Sequence, residues 1–446
     1  MRGKKEKLMT FEVRSGGPRP WFTVLVIAAI ASLVIFSVSR TGYFWVMLAP
    51  NLLLLFMTLV MIVVFFEEKM PARKPLKKYP LVSVVFPVHN AADSIARAVE
   101  CARKSVYPGE IELIAVDDAS TDSSPSVLAG LKGVRVLTMK KNVGKAAALN
   151  RGAKIARGSV VVFVDADSYL TPHALRHAVE ALYSADDVGA ATCFIQVHEP
   201  KNLLQKLQQI EYYTGFGFSA ISSYLLDAIF VTPGPTTVFK KKVFDELGGF
   251  DEQNITEDLE MAWRLRRKGY KIAYSRDAVV FTDVPSKLKD LYRQRLRWYR
   301  GKLYNIRKYK DMLFNPAYGN FGVFMLPFSF TAEISGVVLS FSFAYLALRQ
   351  ALWLAAYLAS ALALNHFSLD VSGFSLFGVS AIVMGFVIAA PWIFALYLSY
   401  LVARQKFKWT TLPYLVLFLF FYGFVVSFFY CASFLKEVNR SDYKWK

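Results

Sequence analysis

Apolar and polar positions divide this chain into three parts, with long apolar runs at both ends and a segment of mixed composition between them. Residues 21–39 and 43–66 carry no charged side chain, and each run is long enough to span a bilayer. Three further candidate spans follow near the other end, at residues 321–347, 374–402 and 411–435. Residues 351–365 are short for a full crossing, so a span, a re-entrant segment and an interfacial helix stay open as alternatives. We expect roughly five or six spans in all.

The middle segment alternates strand patterns with helix patterns. Short runs rich in β-branched residues predict strands over Val82–Val88, Ile111–Val116, Val134–Met139 and Val160–Val164. Helices are predicted over Ala91–Lys104, over Val143–Arg157, and from an N-cap at Thr171 with Pro172 at the first helical position to Tyr183. This alternation predicts a parallel sheet with helices on both faces.

Basic side chains flank the first two apolar runs. They are Arg2, Lys4, Lys5 and Lys7 before the first run, and Lys69, Arg73, Lys74, Lys77 and Lys78 after the second. Because cytoplasmic flanks are enriched in lysine and arginine, we expect both flanks and residues 81–290 to face the cytoplasm. The formal net charge of +19 then fits a surface of anionic membrane lipid. A nucleic-acid partner is not expected, because no nucleic-acid-binding module is recognisable.

The overall composition favours the same class of protein. The chain is 54% hydrophobic with a mean hydropathy of +0.33, which is too apolar for an ordinary soluble protein of 446 residues. Its three cysteines are widely spaced, at Cys101, Cys193 and Cys431. This spacing fits neither a disulfide framework nor a zinc site, so we expect reduced thiols.

Polar side chains follow three of the predicted strands, at the point where each strand ends. They are Pro87–Asn90, Asp117 with Asp118, and Asp165 with Asp167. Ligands of open α/β sheets bind at the carboxyl ends of the strands, so these groups should meet in one crevice. The Asp165-Ala166-Asp167 spacing suits a hard divalent cation such as Mg²⁺ or Mn²⁺. A solvated loop with two chance aspartates is the alternative, and the buried strand before it disfavours that interpretation.

Three further motifs each allow a structural and a functional interpretation. Asp117 and Asp118 precede a predicted turn, and either they cap a helix or they bind a nucleobase or ribose. Lys145 follows Gly144 at a helix start, which favours phosphate, although the P-loop spacing is absent. Thr256-Glu257-Asp258 begins a helix; Thr256 is a plausible N-cap, and Asp258 is a candidate general base for an acceptor hydroxyl.

A single apolar stripe runs along residues 288–306, at helical spacing. Arginines and lysines occupy the other faces, so we expect an amphipathic helix on a membrane surface. Gln294, Arg297 and Trp298 share one turn of it, where tryptophan can stack on a sugar ring and arginine can meet a diphosphate. Glu333 lies inside the apolar run 321–347, and an intramembrane polymer path and an interfacial carboxylate are equal alternatives for it.

Taken together, residues 81–305 resemble the membrane-embedded processive members of glycosyltransferase family 2, such as cellulose, chitin, hyaluronan and poly-N-acetylglucosamine synthases. The shared motifs are Asp118, the Asp165-x-Asp167 pair, Thr256-Glu257-Asp258 and Gln294-x-x-Arg297-Trp298. The resemblance implies an α/β fold of GT-A type, inserted between transmembrane helices. It divides the chain into residues 1–80 with two spans, a catalytic domain at 81–285, an interfacial region at 286–318 and a membrane region at 319–446.

The resemblance also implies roles for individual residues. Asp258 would be the catalytic base, with Glu257 beside it. The nucleotide-sugar would be held by Pro87, His89, Asn90, Asp117, Asp118, Lys145, Asp165, Asp167 and Arg297, with Mg²⁺ or Mn²⁺ on Asp165 and Asp167. The acceptor would meet Gly234, Gln294 and Trp298. His89 stands where the family more often has tyrosine, and no cellulose-type gating-loop motif is evident near residues 404–411.

These implications predict an inverting transferase in the cell membrane, with UDP-GlcNAc or UDP-Glc as the favoured donor and a growing β-linked polysaccharide as acceptor. One alternative is a non-processive enzyme that moves a single sugar to a polyprenyl-phosphate or glycolipid. An alternative of another class is an inactive transport or scaffold protein. The sequence leaves the oligomeric state open.

Overall fold

The structure is a computed structural model that describes residues 10–11, 56, 75–363, 393–394, 396–401, 404–405, 408–438 and 443–444. Its central feature is an eight-stranded sheet. The strands are β1 (Val82–Val88), β2 (Ile111–Asp117), β3 (Val134–Thr138), β4 (Val160–Val164), β5 (Ser168–Leu170), β6 (Val188–Val197), β7 (Thr236–Lys240) and β8 (Lys271–Thr282). Outside it, Thr10–Phe11 pairs antiparallel with Tyr443–Lys444.

The helices complete the element order. They are α1 (Ile95–Arg103), α2 (Ser124–Gly130), α3 (Lys145–Ile155), α4 (Ala174–Leu182), α5 (Leu203–Leu226), α6 (Lys241–Glu246), α7 (Glu257–Arg267), α8 (Leu288–Lys308), α9 (Leu326–Ala363), α10 (Leu412–Leu417) and α11 (Gly423–Val438). Single π-helical turns precede α9 at Phe321–Met325 and α11 at Phe418–Tyr422. Short 3₁₀ turns lie at Lys310–Met312, Pro316–Tyr318 and Trp409–Thr411.

The sheet is mixed, whereas the sequence predicts a parallel one. The strand order is β3-β2-β1-β4-β7-β6-β8-β5. The four strands predicted from the sequence pair in parallel. β7 runs antiparallel to both β4 and β6, and β5 runs antiparallel to β8. β6 and β8 pair in parallel. The parallel prediction is therefore confirmed for the four predicted strands and wrong for β5 and β7, two strands that the sequence pattern did not reveal.

Both faces of the sheet are buried because side chains alternate along each strand. Val84 and Phe86 of β1 belong to the core shared with α1 and α4. Val85, between them, belongs to the opposite core, shared with α3 and α7. A strand buried on both faces reads as a continuous apolar run, which is the pattern of β1 and of β4.

Two helices begin later than predicted because groups near their predicted starts form hydrogen bonds with other segments. The helix predicted from Thr171 begins at Ala174 with His173 at the N-cap, because the Thr171 hydroxyl donates to the Val279 carbonyl of β8 at 2.8 Å instead of capping. The helix predicted from Ala91 begins at Ile95, since the Ala91 N–H donates to the Ser124 hydroxyl at 2.8 Å. Helix existence was predicted correctly in both cases.

The C-terminal helices lie against α8. α8 packs on α11, and α11 packs on α9. Residues 321–347 and residues 351–363 of the predicted segment 351–365, predicted as separate segments, fall in one turn-plus-helix from Phe321 to Ala363. Within the described part of the chain, no helix is both long and apolar enough to cross a membrane. The predicted spans 21–39 and 43–66, apart from Phe56, and most of 374–402 lie outside the described residues.

Candidate active site

The loops that follow β1 and β2 meet at one edge of the sheet. Asp117 and Asp118 lie there at 1% and 3% exposure. The two oxygens of Asp118 accept hydrogen bonds from the Val143 and Gly144 N–H groups, at 2.7 and 2.8 Å. Asp117 Oδ1 accepts one from the Ser120 N–H at 3.1 Å. Asp118 therefore fixes the start of α3, which is why that helix begins later than predicted. Its nucleotide contact stays a prediction.

The loop after β1 is hydrogen-bonded to the loop after β2. Asn90 adopts a left-handed φ of 53°, which asparagine tolerates better than most residues. Its side-chain oxygen accepts a hydrogen bond from the Thr121 N–H at 2.8 Å. His89 Nδ1 lies 3.0 Å from the Asp118 carbonyl oxygen. Pro87 precedes this loop, beyond the last β1 residue that pairs with β4. The predicted residues of this loop thus form one rim beside Asp118.

Four of the predicted polar side chains converge around Gly234. Lys145 Nζ lies 2.5 Å from Asp165 Oδ1 and 3.5 Å from Glu257 Oε1. The Gly234 N–H donates to Asp258 Oδ2 at 3.0 Å. A Cβ on Gly234 would lie 2.8 Å from Lys145 Nζ, 3.3 Å from Asp165 Oδ2 and 3.4 Å from Asp258 Oδ2. The side chains come from α3, the end of β4 and α7, so the fold assembles motifs that are more than a hundred residues apart.

In this cluster the ammonium group of Lys145 faces three carboxylates. Burial alone would lower the pKa of Lys145, but Asp165, Glu257 and Asp258 together raise it above its ordinary value. Burial raises the pKa of Glu257, against the opposing effect of Lys145, and its Oε2 has no hydrogen-bond partner among the described residues. Asp167 lies at the rim, where partial desolvation and the charge of Asp165 raise its pKa. Lys145 is therefore held as an ammonium between acidic groups.

α8 contacts the start of α7 through small and polar residues. The Arg297 guanidinium donates to the Ile255 carbonyl at 3.2 Å. Asn305 donates to the Thr256 hydroxyl at 3.1 Å. Thr256 occupies the predicted N-cap position, but its hydroxyl bonds to neighbouring side chains and does not cap α7. These contacts bring Arg297 alongside the segment that carries Asp258.

Trp298 rests on a buried arginine that the sequence motif leaves unspecified. Arg295 is 1% exposed, and its guanidinium carbon lies 4.0 Å from the centroid of the Trp298 ring. Arg295 also donates to Gln294 Oε1 at 2.9 Å and to Glu211 Oε2 at 2.6 Å. The Tyr422 hydroxyl donates to the same Glu211 oxygen at 2.8 Å. Gln294 and Trp298 are thus positioned by an ion pair that links α5, α8 and the C-terminal helices.

The amphipathic interpretation of α8 needs correction. The helix exists over almost the predicted range. Its buried face, however, includes Arg295, Arg300 and Lys302, which were expected on solvent-facing sides. Arg300 pairs with Glu437 at 3.3 Å, and Tyr292 of the apolar stripe packs on Phe429. The helix therefore packs inside the protein along much of its surface, because its basic groups find acidic partners on neighbouring helices.

A cavity of about 350 Å³ opens beside Asp258 and Trp298. Its wall combines aromatic and aliphatic side chains with a few charged ones, namely Glu211, Tyr212, Phe216, Phe230, Pro233, Gly234, Asp258, Leu259, Trp298, Tyr299, Lys302 and Glu333, together with five other residues. Glu211, Arg295 and Lys302 were not selected from the sequence. Glu211 is the only acid within α5, and that isolation was the signal that could have found it.

Comparison with known sequences identifies the middle segment. Residues 83–248 match the family described as Glycosyl transferase family 2. The chain carries a family 2 glycosyltransferase domain. The resemblance inferred from the motifs is confirmed for this domain, whose family is one of glycosyltransferases.

Relatives of this family 2 domain include polysaccharide synthases. A poly-β-1,6-N-acetyl-D-glucosamine synthase of Staphylococcus epidermidis is 30% identical over 223 residues, which is 49% of this chain and 54% of that protein. A Staphylococcus aureus protein of the same name is 29% identical over 259 residues, which is 55% of this chain and 63% of that protein. The chain therefore spans roughly half of the curated relatives that it matches.

A solved structure supports the fold. A mannosyltransferase from Pyrobaculum calidifontis, determined in complex with GDP-mannose and Mn²⁺, superimposes with a TM-score of 0.54 at 22% identity. The match covers 81% of this chain and 99% of that one. At this identity the likeness establishes the fold alone, which is the α/β fold of GT-A type that the resemblance implied.

Proposed function

We propose that this glycosyltransferase is an inverting enzyme that transfers a sugar from a UDP-sugar to the end of a growing β-linked glycan. The observation that carries the proposal is the position of Asp258. Its carboxylate lies beside the Lys145–Asp165 pair across Gly234, and it also lines the cavity that contains Trp298. A carboxylate at this junction can contact a donor on one side and an acceptor on the other.

The donor would lie on the rim formed by the loops after β1, β2 and β4. His89, Asn90, Asp117 and Asp118 border the nucleotide end of that rim. Lys145 is a permanent cation close to the expected diphosphate, and the start of α3 adds its backbone dipole. UDP-GlcNAc is the favoured donor because the relatives at 29–30% identity are named poly-N-acetylglucosamine synthases. UDP-Glc is the second choice.

Asp165 and Asp167 fit a divalent cation of the Mg²⁺ or Mn²⁺ type. Both offer carboxylate oxygens, and desolvation together with the charge of Asp165 raises the pKa of Asp167. The described residues contain no group of three or more metal-binding side chains. Two carboxylates are nevertheless the usual protein contribution for Mg²⁺, which completes its shell with water and substrate phosphates. When bound, such a cation would neutralise charge on the leaving diphosphate.

Asp258 would act as the general base. Its carboxylate takes the proton from the acceptor hydroxyl, whose oxygen then bonds to the anomeric carbon of the donor sugar. The bond from that carbon to the diphosphate breaks on the opposite face, and the nucleotide diphosphate leaves with the electron pair. Asp258 is prepared for this role because one of its oxygens is held by the Gly234 N–H at 3.0 Å. Glu257 supports it indirectly by pairing with Lys145.

A membrane location, with the catalytic domain in the cytoplasm, is part of the proposal. It rests on the apolar runs at 21–39 and 43–66 and on the basic residues that flank them. Membrane lipid is therefore a proposed partner, and the acceptor end of a polysaccharide would lie beside Trp298 and Gln294.

The test is an assay of the purified chain in lipid with Mn²⁺ or Mg²⁺, a panel of radiolabelled UDP-sugars, and Asp258→Asn beside the unchanged protein. We expect high-molecular-weight product from one donor, and a loss of about 10² to 10⁴-fold in rate for the variant. Product that is only short or lipid-extractable would favour single transfer to a lipid acceptor. Absence of turnover with every donor would contradict the proposed function and favour an inactive scaffold.

A further inference from the structure

An ion pair in the wall of the cavity takes no part in the transfer step proposed above. Lys302 Nζ lies 2.5 Å from Glu333 Oε1, and the two side chains are only 11% and 19% exposed. Lys302 also donates to the Ser329 carbonyl at 3.2 Å. Glu333 Oε2 is buried without a hydrogen-bond partner among the described residues. The Tyr430 hydroxyl lies near this carboxylate but leaves Oε2 unpaired within the described part of the chain, and a buried oxygen in that state beside a cavity is costly unless a ligand completes it.

The pair stands one turn of α8 away from Trp298. Four residues of α-helix correspond to about 6 Å along the axis, which is the length scale of one sugar unit. Tyr212, Phe216 and Tyr299 form aromatic walls between and around these groups. Apolar walls with a few fixed polar groups are typical of small-ligand sites, and a volume of about 350 Å³ is near the lower end of their range of roughly 300–1,000 Å³.

The charges in the wall indicate which class of acceptor fits. Three carboxylates line the cavity, on Glu211, Asp258 and Glu333, whereas Lys302 is the lysine among its lining residues. Glu333 is paired with Lys302, and Glu211 is paired with Arg295 behind the wall. Asp258 then leaves the lining with a net negative charge, which disfavours an added phosphate. Hydroxyl groups meet no such penalty, because they can donate to a carboxylate oxygen and accept from an ammonium group.

We propose that the Lys302–Glu333 pair forms a second acceptor subsite, which binds the hydroxyls of the sugar unit next to the one at Trp298. The acceptor is then an uncharged glycan of at least two units and not a polyprenyl-phosphate. This inference rests on the proposed function, since it specifies the acceptor of the same site.

Direct binding tests the subsite without relying on catalysis. The full chain in detergent micelles would be titrated by calorimetry with β-1,6-linked N-acetylglucosamine monomer, dimer and trimer, and with farnesyl phosphate as an anionic lipid probe. The variants are Glu333→Gln and Lys302→Met. The matched control is Glu100→Gln, which removes a carboxylate from an exposed pair with Arg103 on α1.

The trimer should bind about tenfold more tightly than the monomer, and both cavity variants should reduce that advantage to about twofold, as expected for lost hydrogen bonds to charged groups. Glu100→Gln should keep it. An unchanged advantage in both variants, tighter binding of farnesyl phosphate than of the trimer, or no saccharide binding at all would overturn the proposal. Because turnover is not measured, a failure of the proposed catalysis would be seen separately in the assay of Asp258→Asn.

Discussion

A Cβ placed on Gly301 would lie 2.3 Å from both Cγ2 and Oγ1 of Thr256. Gly301 belongs to α8, and Thr256 immediately precedes Glu257 and Asp258 at the start of α7. No side chain fits between them, so glycine sets the separation of the two helices. One turn earlier on α8 lie Arg297 and Trp298, whose positions relative to Asp258 therefore depend on this contact.

Gly301→Ala should separate the two motifs. The added methyl group meets the side chain of a buried residue next to a helix start, where overpacking typically costs about 1–3 kcal/mol. We expect a lower melting temperature and at least a tenfold loss of glycosyl transfer, measured by tryptophan fluorescence and by incorporation of labelled sugar.

Gly130→Ala is the matched control for that change. Gly130 lies in α2, and a Cβ there meets nothing within 4 Å. This variant should keep full activity and equal or slightly higher stability, because alanine restricts the unfolded chain. Equal activity of the Gly301→Ala and Gly130→Ala proteins would contradict the positioning role of Gly301.

Gly234→Ala should act on the donor side of the site. The new methyl group would lie 2.8 Å from Lys145 Nζ, and that ammonium cannot move freely because it is held by Asp165 and Glu257. We expect the KM for the UDP-sugar to rise by about tenfold with a smaller change in kcat, since a displaced lysine weakens diphosphate binding. Steady-state kinetics at saturating acceptor would measure both. A change confined to kcat would instead indicate that Asp258 is the group displaced.

Features that depend on the local pattern of residues were predicted from the sequence. β1 and β4 were predicted to the residue because a strand buried on both faces is a continuous apolar run with clear ends. The polar residues after β1 and β2 were expected to meet, and His89 and Asn90 do contact the loop that carries Asp118 and Thr121. The roles given to those residues and the domain boundaries at 80, 285 and 318 stay predictions.

What the sequence did not reveal depends on distant partners. Arg295 looked like one more basic residue on an exposed face, yet it is buried because Glu211 lies 84 positions earlier in the chain and points at it. The Thr171 side chain was expected to cap a helix, but its hydroxyl donates to a backbone carbonyl of β8. Patterns with a period of two or four residues carry no information about such contacts, and these contacts decide which polar groups are buried.

Arg295→Met should destabilise the contact among α5, α8 and the C-terminal helices. It leaves the Glu211 carboxylate without its cation and Trp298 without the guanidinium below its ring. Breaking a buried pair by removing one partner costs about 3–5 kcal/mol. We expect a clear drop in melting temperature and a shifted tryptophan emission. Tyr422→Phe, which removes a single hydrogen bond to the same carboxylate, should cost about 1 kcal/mol. Similar losses for the two variants would show that the charge on Arg295 contributes little.

Glu112→Gln should change how stability depends on pH. Glu112 is 5% exposed, far from the site, and accepts hydrogen bonds from the Ser83 hydroxyl at 2.6 Å and from Arg157 at 2.9 Å. Burial alone would raise its pKa, but these hydrogen bonds lower it below the ordinary value. A lowered pKa in the folded state means that the carboxylate stabilises the fold above the unfolded pKa and that this stabilisation is lost as pH falls through the folded pKa.

The variant should therefore be less stable than the unchanged protein by about 2 kcal/mol at pH near ~7, and the difference should shrink as the solution is acidified below pH ~4.5. Guanidinium unfolding of the full chain in detergent at several pH values would measure it. Glu100→Gln, which alters an exposed pair, should show no such dependence. A difference that stays constant from neutral to acidic pH would mean that Glu112 acts through packing and not through its charge.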